Sequence, residues 1–237
     1  MLSLKRLIGM NTVVKISIHL VLTTGVLVVL FPGCKKVDED LKVTDIDGNV
    51  YNTVTIGSQV WMVENLKTTR YTDGTSIDLI TDNTEWSNAN TPAYCWNDND
   101  IRNKDTYGAL YNWYAVNTGK LCPTGWHSPT DTELTALSDY LGGDAIAGGK
   151  LKEMGTNHWA NPNEGANNES GFTALPAGYR SWNGNFNLAG TYTCIWSSSE
   201  LNDLEAWFRE IYGWKPNFTR SEDVKEYGFS VRCVKDK

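Results

Sequence analysis

The longest unbroken apolar stretch comes first: from Ile16 to Phe31 the chain reads ISIHLVLTTGVLVVLF, preceded only by the charges Lys5, Arg6 and Lys15. It falls short of the ~20 residues of a membrane span and has the positive-then-apolar layout of an export signal. Met10 offers an alternative start with a more compact form of that layout. Beyond the run, apolar positions become short and scattered. In VTDIDGNVYNTVTIGSQVWMVENL, stretches of Val, Ile, Thr, Tyr and Trp are separated by the turn pairs Asp47-Gly48 and Gly57-Ser58, which predicts a meander of three small strands. Residues 71–105 are polar and broken by Gly, Pro and Asn, a loop pattern.

Helical periodicity follows. Tyr107, Leu110, Tyr111, Tyr114 and Ala115 recur at helical spacing and predict one short helix with an apolar stripe. Thr130 and Glu133 have capping-box spacing, Leu134, Leu137 and Leu141 share one face, and Gly142-Gly143 supply a C-terminal stop, so a helix is expected over 131–141. GFTALPAGY, TYTCIWSSS, AWFREIY and GFSVRCVKD then read as strands between polar turns. The pattern predicts one α+β domain over 43–236, with short helices on small, mostly antiparallel sheets and an N-terminal β-meander. A signal at 1–33 and a tether at 34–42 precede it, and no repeat or low-complexity linker divides it.

Composition sharpens this. Ten Trp, 11 Tyr and 21 Gly suit a loop-rich domain with aromatic anchors rather than a helical bundle. All 28 acidic residues lie beyond the signal against 18 of the 21 Lys and Arg, a balance of −10 that argues against nucleic acid or anionic lipid as partner. The signal ends in FPGCKKVDED, with Gly33 immediately before Cys34, as in bacterial lipoprotein signals, in which the cysteine is lipidated and becomes the new N-terminus. Phe31 stands where such signals carry Leu, and Leu30 sits one step early. The acidic DED resembles the surface-export tags of Bacteroidetes lipoproteins. The expectation is an outer-membrane lipoprotein at the cell surface, its membrane partner reached through lipid on Cys34.

Candidate chemistry is sparse. Only His127 and His158 lie outside the signal, too few for a zinc hydrolase, and His127 in GWHSP reads as a structural group beside the helix start. No nucleophile elbow, phosphate loop, dinucleotide fingerprint or Cys-x-x-Cys pair occurs, and GGDAIAGGK reads as turn chemistry. No two carboxylates are singled out for glycosidase work. No catalytic constellation emerges, and an enzyme is not expected.

The blocks DIDGNVYNTVTIGSQVWMVENL, YGALYNWYAV, LCPTGWHSPTDTEL, GGKLKEMG, GFTALPAGYR, WSSSE and GFSVRCVKD resemble, in order, those of the Fibrobacter succinogenes major paralogous domain family, secreted and lipid-anchored bacterial proteins. That family is similar in fold to C-type lectin-like domains, the group that includes the formylglycine-generating enzymes. The resemblance implies a disulfide-closed C-type lectin-like domain in which Cys122, ahead of the helix, is bridged to Cys233 in the final strand. Four cysteines apart from Cys34 allow three pairings, among which sequence does not choose; elimination alone favours Cys95 with Cys194.

The same resemblance points to ANPNEGANNESGF at 160–172, placed where those lectins keep their calcium- and sugar-binding loop. Asn161, Asn163 and Glu164 are the candidate calcium ligands, because a hard cation wants six to eight oxygens. The segments between helix and last strand hold the candidate ligand-binding residues His158, Trp159, Trp182, Asn183 and Trp214, with Trp196 a further tryptophan in or beside polar loops. Two function classes follow: a surface binding or adhesion module for a glycan or a surface protein, or an enzyme of the formylglycine-generating kind, with a purely structural surface protein as a further alternative. The segments that carry the catalytic cysteines of those enzymes have no match here.

Overall fold

A computed structural model describes residues 42–237; the signal, Cys34 and all but the last residue of the tether lie outside them. The N-terminal meander is two hairpins. Val43–Thr44 pairs with Val50–Tyr51, and the turn between them is tied by Asp45, whose carboxylate accepts from the Asp47 and Asn49 backbone amides and from the Tyr51 hydroxyl at 2.6 Å. Thr53–Ile56 pairs with Gln59–Met62. This second hairpin becomes half of a four-stranded sheet, because the C-terminal strand Val234–Lys235 inserts between it and Trp126–His127. Val234 pairs with Trp61 on one side and His127 on the other, so the two ends of the domain share one sheet.

The helix Asp131–Tyr140 carries the capping box its sequence predicted: Thr130 accepts from the Glu133 amide while Glu133 accepts from the Thr130 amide. Leu134, Leu137 and Leu141 are buried against Val54, Trp61 and Phe172. The tandem glycines of AIAGGK are not turn residues. They belong to the helix Ala147–Leu151, where a Cβ on Gly148 would meet the Asn217 carbonyl at 2.0 Å and one on Gly149 the Gly165 carbonyl at 2.4 Å. Two loops close on this helix because it lacks side chains there.

The expected helix over 107–116 is not one helix. Gly108 adopts φ +74, a region glycine enters at no steric cost, and a Cβ there would meet Asn65 at 2.8 Å. The segment divides into a helical turn Lys104–Tyr107, a strand Ala109–Tyr111 and a second turn Trp113–Val116 capped by Asn112. Its apolar residues satisfied a helical period because Ala109, Leu110 and Tyr111 are all buried, so a strand covered on both faces left no alternation. That strand pairs with Ala93–Trp96, which pairs with Asp78–Leu79, and the helix Asn83–Ser87 lies between those two. Residues 71–105 are therefore not merely loop. The buried Arg180 guanidinium holds them, donating to the carbonyls of Ile80, Thr81 and Asp82 and stacking 4.4 Å from the Trp86 ring.

The largest sheet is antiparallel: Tyr192–Glu200, Glu205–Tyr212 and Phe218–Val224. The third strand, FTRSEDV, lay in a segment read as loop because it has few apolar residues. The predicted GFTALPAGY strand shrinks to Tyr179–Arg180, with single bridges at Ala174 and Gly178, and in GFSVRCVKD only Val234–Lys235 joins a multistranded sheet. One disulfide joins Cys122 to Cys233 with Cα atoms 6.0 Å apart. Cys95 and Cys194 are not joined to each other, which corrects that pairing. They are buried free thiols on different sheets, packed in separate apolar clusters.

Candidate functional site

Strand register builds the site. Cross-strand pairing of Tyr192 with Tyr212, Cys194 with Glu210, and Trp196 with Phe208, continued by Glu210 with Thr219 and Ala206 with Asp223, sets these side chains on one face of the large sheet. Part of that face is covered by the core; the rest opens as a cleft of about 290 Å³, walled by Tyr179, Tyr192, Tyr212, Trp214 and Tyr227. The rings form a contiguous set. Trp214 lies nearly parallel to Tyr192 at 6.3 Å and edge-on to Tyr212 at 5.1 Å, while Tyr179 meets Tyr192 at 5.7 Å and Tyr227 at 5.8 Å.

Two carboxylates enter this aromatic cleft. Glu210 accepts from the Tyr192 hydroxyl at 2.5 Å, from Ser221 at 2.8 Å and from the Tyr212 hydroxyl, so neutral donors hold it in place. Asp223 accepts from the Val224 amide at 2.9 Å. Burial pushes the Asp223 carboxyl above its ordinary pKa, and the charges of Glu205, Glu210 and Glu222 push the same way against that one backbone bond. Asp223 also lines a second, shallower cleft with Ser87, Trp182, Val224 and Glu226. Asp223 lines both clefts, which together are called the groove, with Trp214 in one cleft and Trp182 in the other, exposed by 50% and 53%.

Trp182 and Trp214 therefore each line a cleft that Asp223 also lines. Asn183 is spent on the turn beside Trp182, its side-chain oxygen accepting from Ser181 Oγ and the Asn185 amide. His158 lies elsewhere, its Nδ1 2.9 Å from Glu153. Trp159 is corrected: it is 1% exposed, packs in the core and donates to the Ala174 carbonyl, so it offers no face to a ligand. Trp196 is likewise core, donating to the Tyr111 carbonyl.

The candidate calcium residues differ in burial. Asn161 and Glu164 are exposed, whereas Asn163 is buried and its amide donates to the Glu153 and Gly155 carbonyls. The cation this loop folds around is the chain's own: Lys152, fully buried, donates from Nζ to the carbonyls of Glu164 and Tyr212 at 2.7 Å and of Lys215 at 3.3 Å. Among the described residues no group of three or more His, Cys, Asp or Glu side chains could hold a metal ion.

His127 has the structural role its sequence suggested, with Nε2 3.0 Å from Glu133 and Nδ1 2.6 Å from Asp236. Sequence reasoning missed Glu210, Asp223 and the four tyrosines. The signal available was the two-residue alternation Tyr192, Cys194, Trp196 and Phe208, Glu210, Tyr212, which sets each trio on one face of its strand.

No curated protein and no solved structure shows significant similarity to the chain. The profile of the Fibrobacter succinogenes major domain, in contrast, matches residues 54–235, from the second N-terminal hairpin through the last strand. The matched span takes in the shared terminal sheet, the disulfide and the whole groove, and on that ground the chain belongs to the Fibrobacter succinogenes major domain family.

Proposed function

We propose that this protein is a lipid-anchored cell-surface binding module whose groove takes a glycan on a C-type lectin-like scaffold. The observation that carries the reading is a pair of clefts that share Asp223, with exposed Trp214 in one and exposed Trp182 in the other and Glu210 and Glu226 beside them. Aromatic faces bury the apolar faces of sugar rings, and carboxylates accept from their hydroxyls. The sheet shared by both ends of the domain and the Cys122–Cys233 closure favour the lectin-like reading of the scaffold. The enzymatic alternative calls for reactive cysteines. Burial pushes the Cys95 thiol up to about 12 and the Cys194 thiol well above its ordinary range, against nucleophilic use.

A glycan array probed with the purified protein tests this reading. Trp214→Ala and Trp182→Ala should each weaken binding to any hit by roughly 1–3 kcal/mol with little change in melting temperature, since half-exposed rings contribute little to the core. An array without hits, or hits indifferent to both substitutions, would remove the groove as a glycan site. The anchor is separate: Cys34→Ala should release the protein from membranes, and unchanged fractionation would remove the lipoprotein assignment.

A further inference from the structure

We infer that the aromatic cleft selects its ligand by an ammonium group, and, resting on the glycan reading above, that the ligand is a sugar carrying a free amine. The cleft combines a wall of tyrosine and tryptophan rings with two carboxylates that have no cation of their own. Among the described residues no ion pair involves Glu210 or Asp223, and no Lys or Arg lines the cleft. Elsewhere the same sheet does form ion pairs: its Glu200 with Lys225 and, from the opposite face, its Arg209 with Asp144.

The hydroxyls that hold Glu210 are neutral. They orient its carboxylate without cancelling its charge, so the half-buried site stays negative. Glu205 and Glu222 add to that field around Asp223. An anionic sugar would meet repulsion here. A neutral sugar would find hydrogen-bond acceptors but leave the charge uncompensated. An ammonium group gains from the carboxylates and from the negative faces of the surrounding rings, which attract cations within about 6 Å of a ring centroid. The chain already displays this chemistry on one of these rings, where Lys215 Nζ sits 3.7 Å from the centre of the Tyr212 ring. Trp214, stacked on Tyr192 and half exposed, extends the wall outward for the apolar face of the sugar ring.

The test is titration calorimetry on the purified full chain in mild detergent, at low salt and pH 6. The probes are a glucosamine oligosaccharide with free amines, its fully N-acetylated counterpart of equal length, and tetramethylammonium chloride. The free-amine oligosaccharide should bind at least about ten-fold tighter than the acetylated one, with the gap shrinking as salt rises. Asp223→Asn should bring the two within about three-fold of each other while leaving the melting temperature in place. Tyr227→Leu provides a second variant, expected to weaken tetramethylammonium and the free-amine sugar together. Equal affinities, or preference for the acetylated sugar, would overturn the ammonium inference and leave the glycan reading standing. Binding of tetramethylammonium that Asp223→Asn weakens, with neither oligosaccharide bound, would uphold the ammonium site and overturn the glycan reading. Absence of binding by both tetramethylammonium and the free-amine sugar would overturn the inference outright.

Discussion

Replacing both partners of the Cys122–Cys233 disulfide by alanine tests how the two ends of the domain are held. The bridged residues are separated by 111 positions. For a loop of that length the chain-entropy relation, −2.1 − 1.5R ln n, gives about 5 kcal/mol at 25 °C, all of it from restricting the unfolded chain. Native contacts at the same seam act on the other side of the equilibrium. Val234 pairs with Trp61 and His127, the Met62 amide donates to the Cys233 carbonyl at 3.1 Å, and the Leu66 amide donates to Val231 at 2.8 Å. These contacts survive the substitution but vanish on unfolding, so they cannot replace the lost restriction.

Urea unfolding of oxidised wild type and the double variant should therefore differ by roughly 3–5 kcal/mol, the lower figure allowing for residual structure in the unfolded state. The melting temperature should fall by about 10–15 °C for a domain of this size. The slope of free energy against urea should also rise, because an uncrosslinked chain exposes more surface. A loss below about 1 kcal/mol with an unchanged slope would refute the reasoning, since it would mean that the unfolded chain is no more confined with the bridge than without it.

Thiol labelling of the native protein should leave Cys95 and Cys194 unmodified, with both reacting once it is unfolded; rapid native labelling of either would revive the enzymatic reading. Burial opposes charge on His127, but its bonds to Asp236 and Glu133 outweigh that and raise its pKa above the ordinary value. Its contribution to stability should be fully present below about pH 6.5 and fade as pH rises through the raised folded value. Melting temperature measured from pH 5 to 9 should therefore fall less on the alkaline side in His127→Gln than in wild type, and matching curves would contradict this. Lys152→Met should cost about 2–4 kcal/mol, because three carbonyls lose a charged donor while the ammonium's desolvation is relieved. Wild-type melting should not respond to millimolar calcium, and a rise would restore the calcium reading of the 160–172 loop.

Local patterns were legible wherever one rule acted alone. The capping box at Thr130 and Glu133 determined a helix start, Gly57-Ser58 a hairpin, and ordered sequence blocks a family and a disulfide. Patterns failed where burial on every side erased periodicity, as at Ala109–Tyr111, or where a strand such as Phe218–Val224 had few apolar residues to alternate. Loop composition also leaves neighbours out: around Asn161, Asn163 and Glu164 it does not reveal that the buried Lys152 ammonium takes the Glu164 and Tyr212 carbonyls. Trp159 and Trp182 sit in similarly polar stretches, and only packing sends one into the core and leaves the other half exposed.

The sequence by itself determined an α+β chain, its family and the residues able to close it. The groove was decided by tertiary structure alone. Tyr179, Tyr192, Glu210, Asp223 and Tyr227 come from separate stretches, and each by itself reads as an ordinary strand or turn residue; of the residues lining the aromatic cleft, only Trp214 stood out in the sequence. Register between three strands brings Glu210 level with Cys194 and Asp223 level with Ala206, and the 179–182 turn adds Tyr179 and Trp182. A hydrophobic pattern records which side of one strand is buried; it carries no information on which strand lies beside it, because that depends on contacts between residues far apart in the chain.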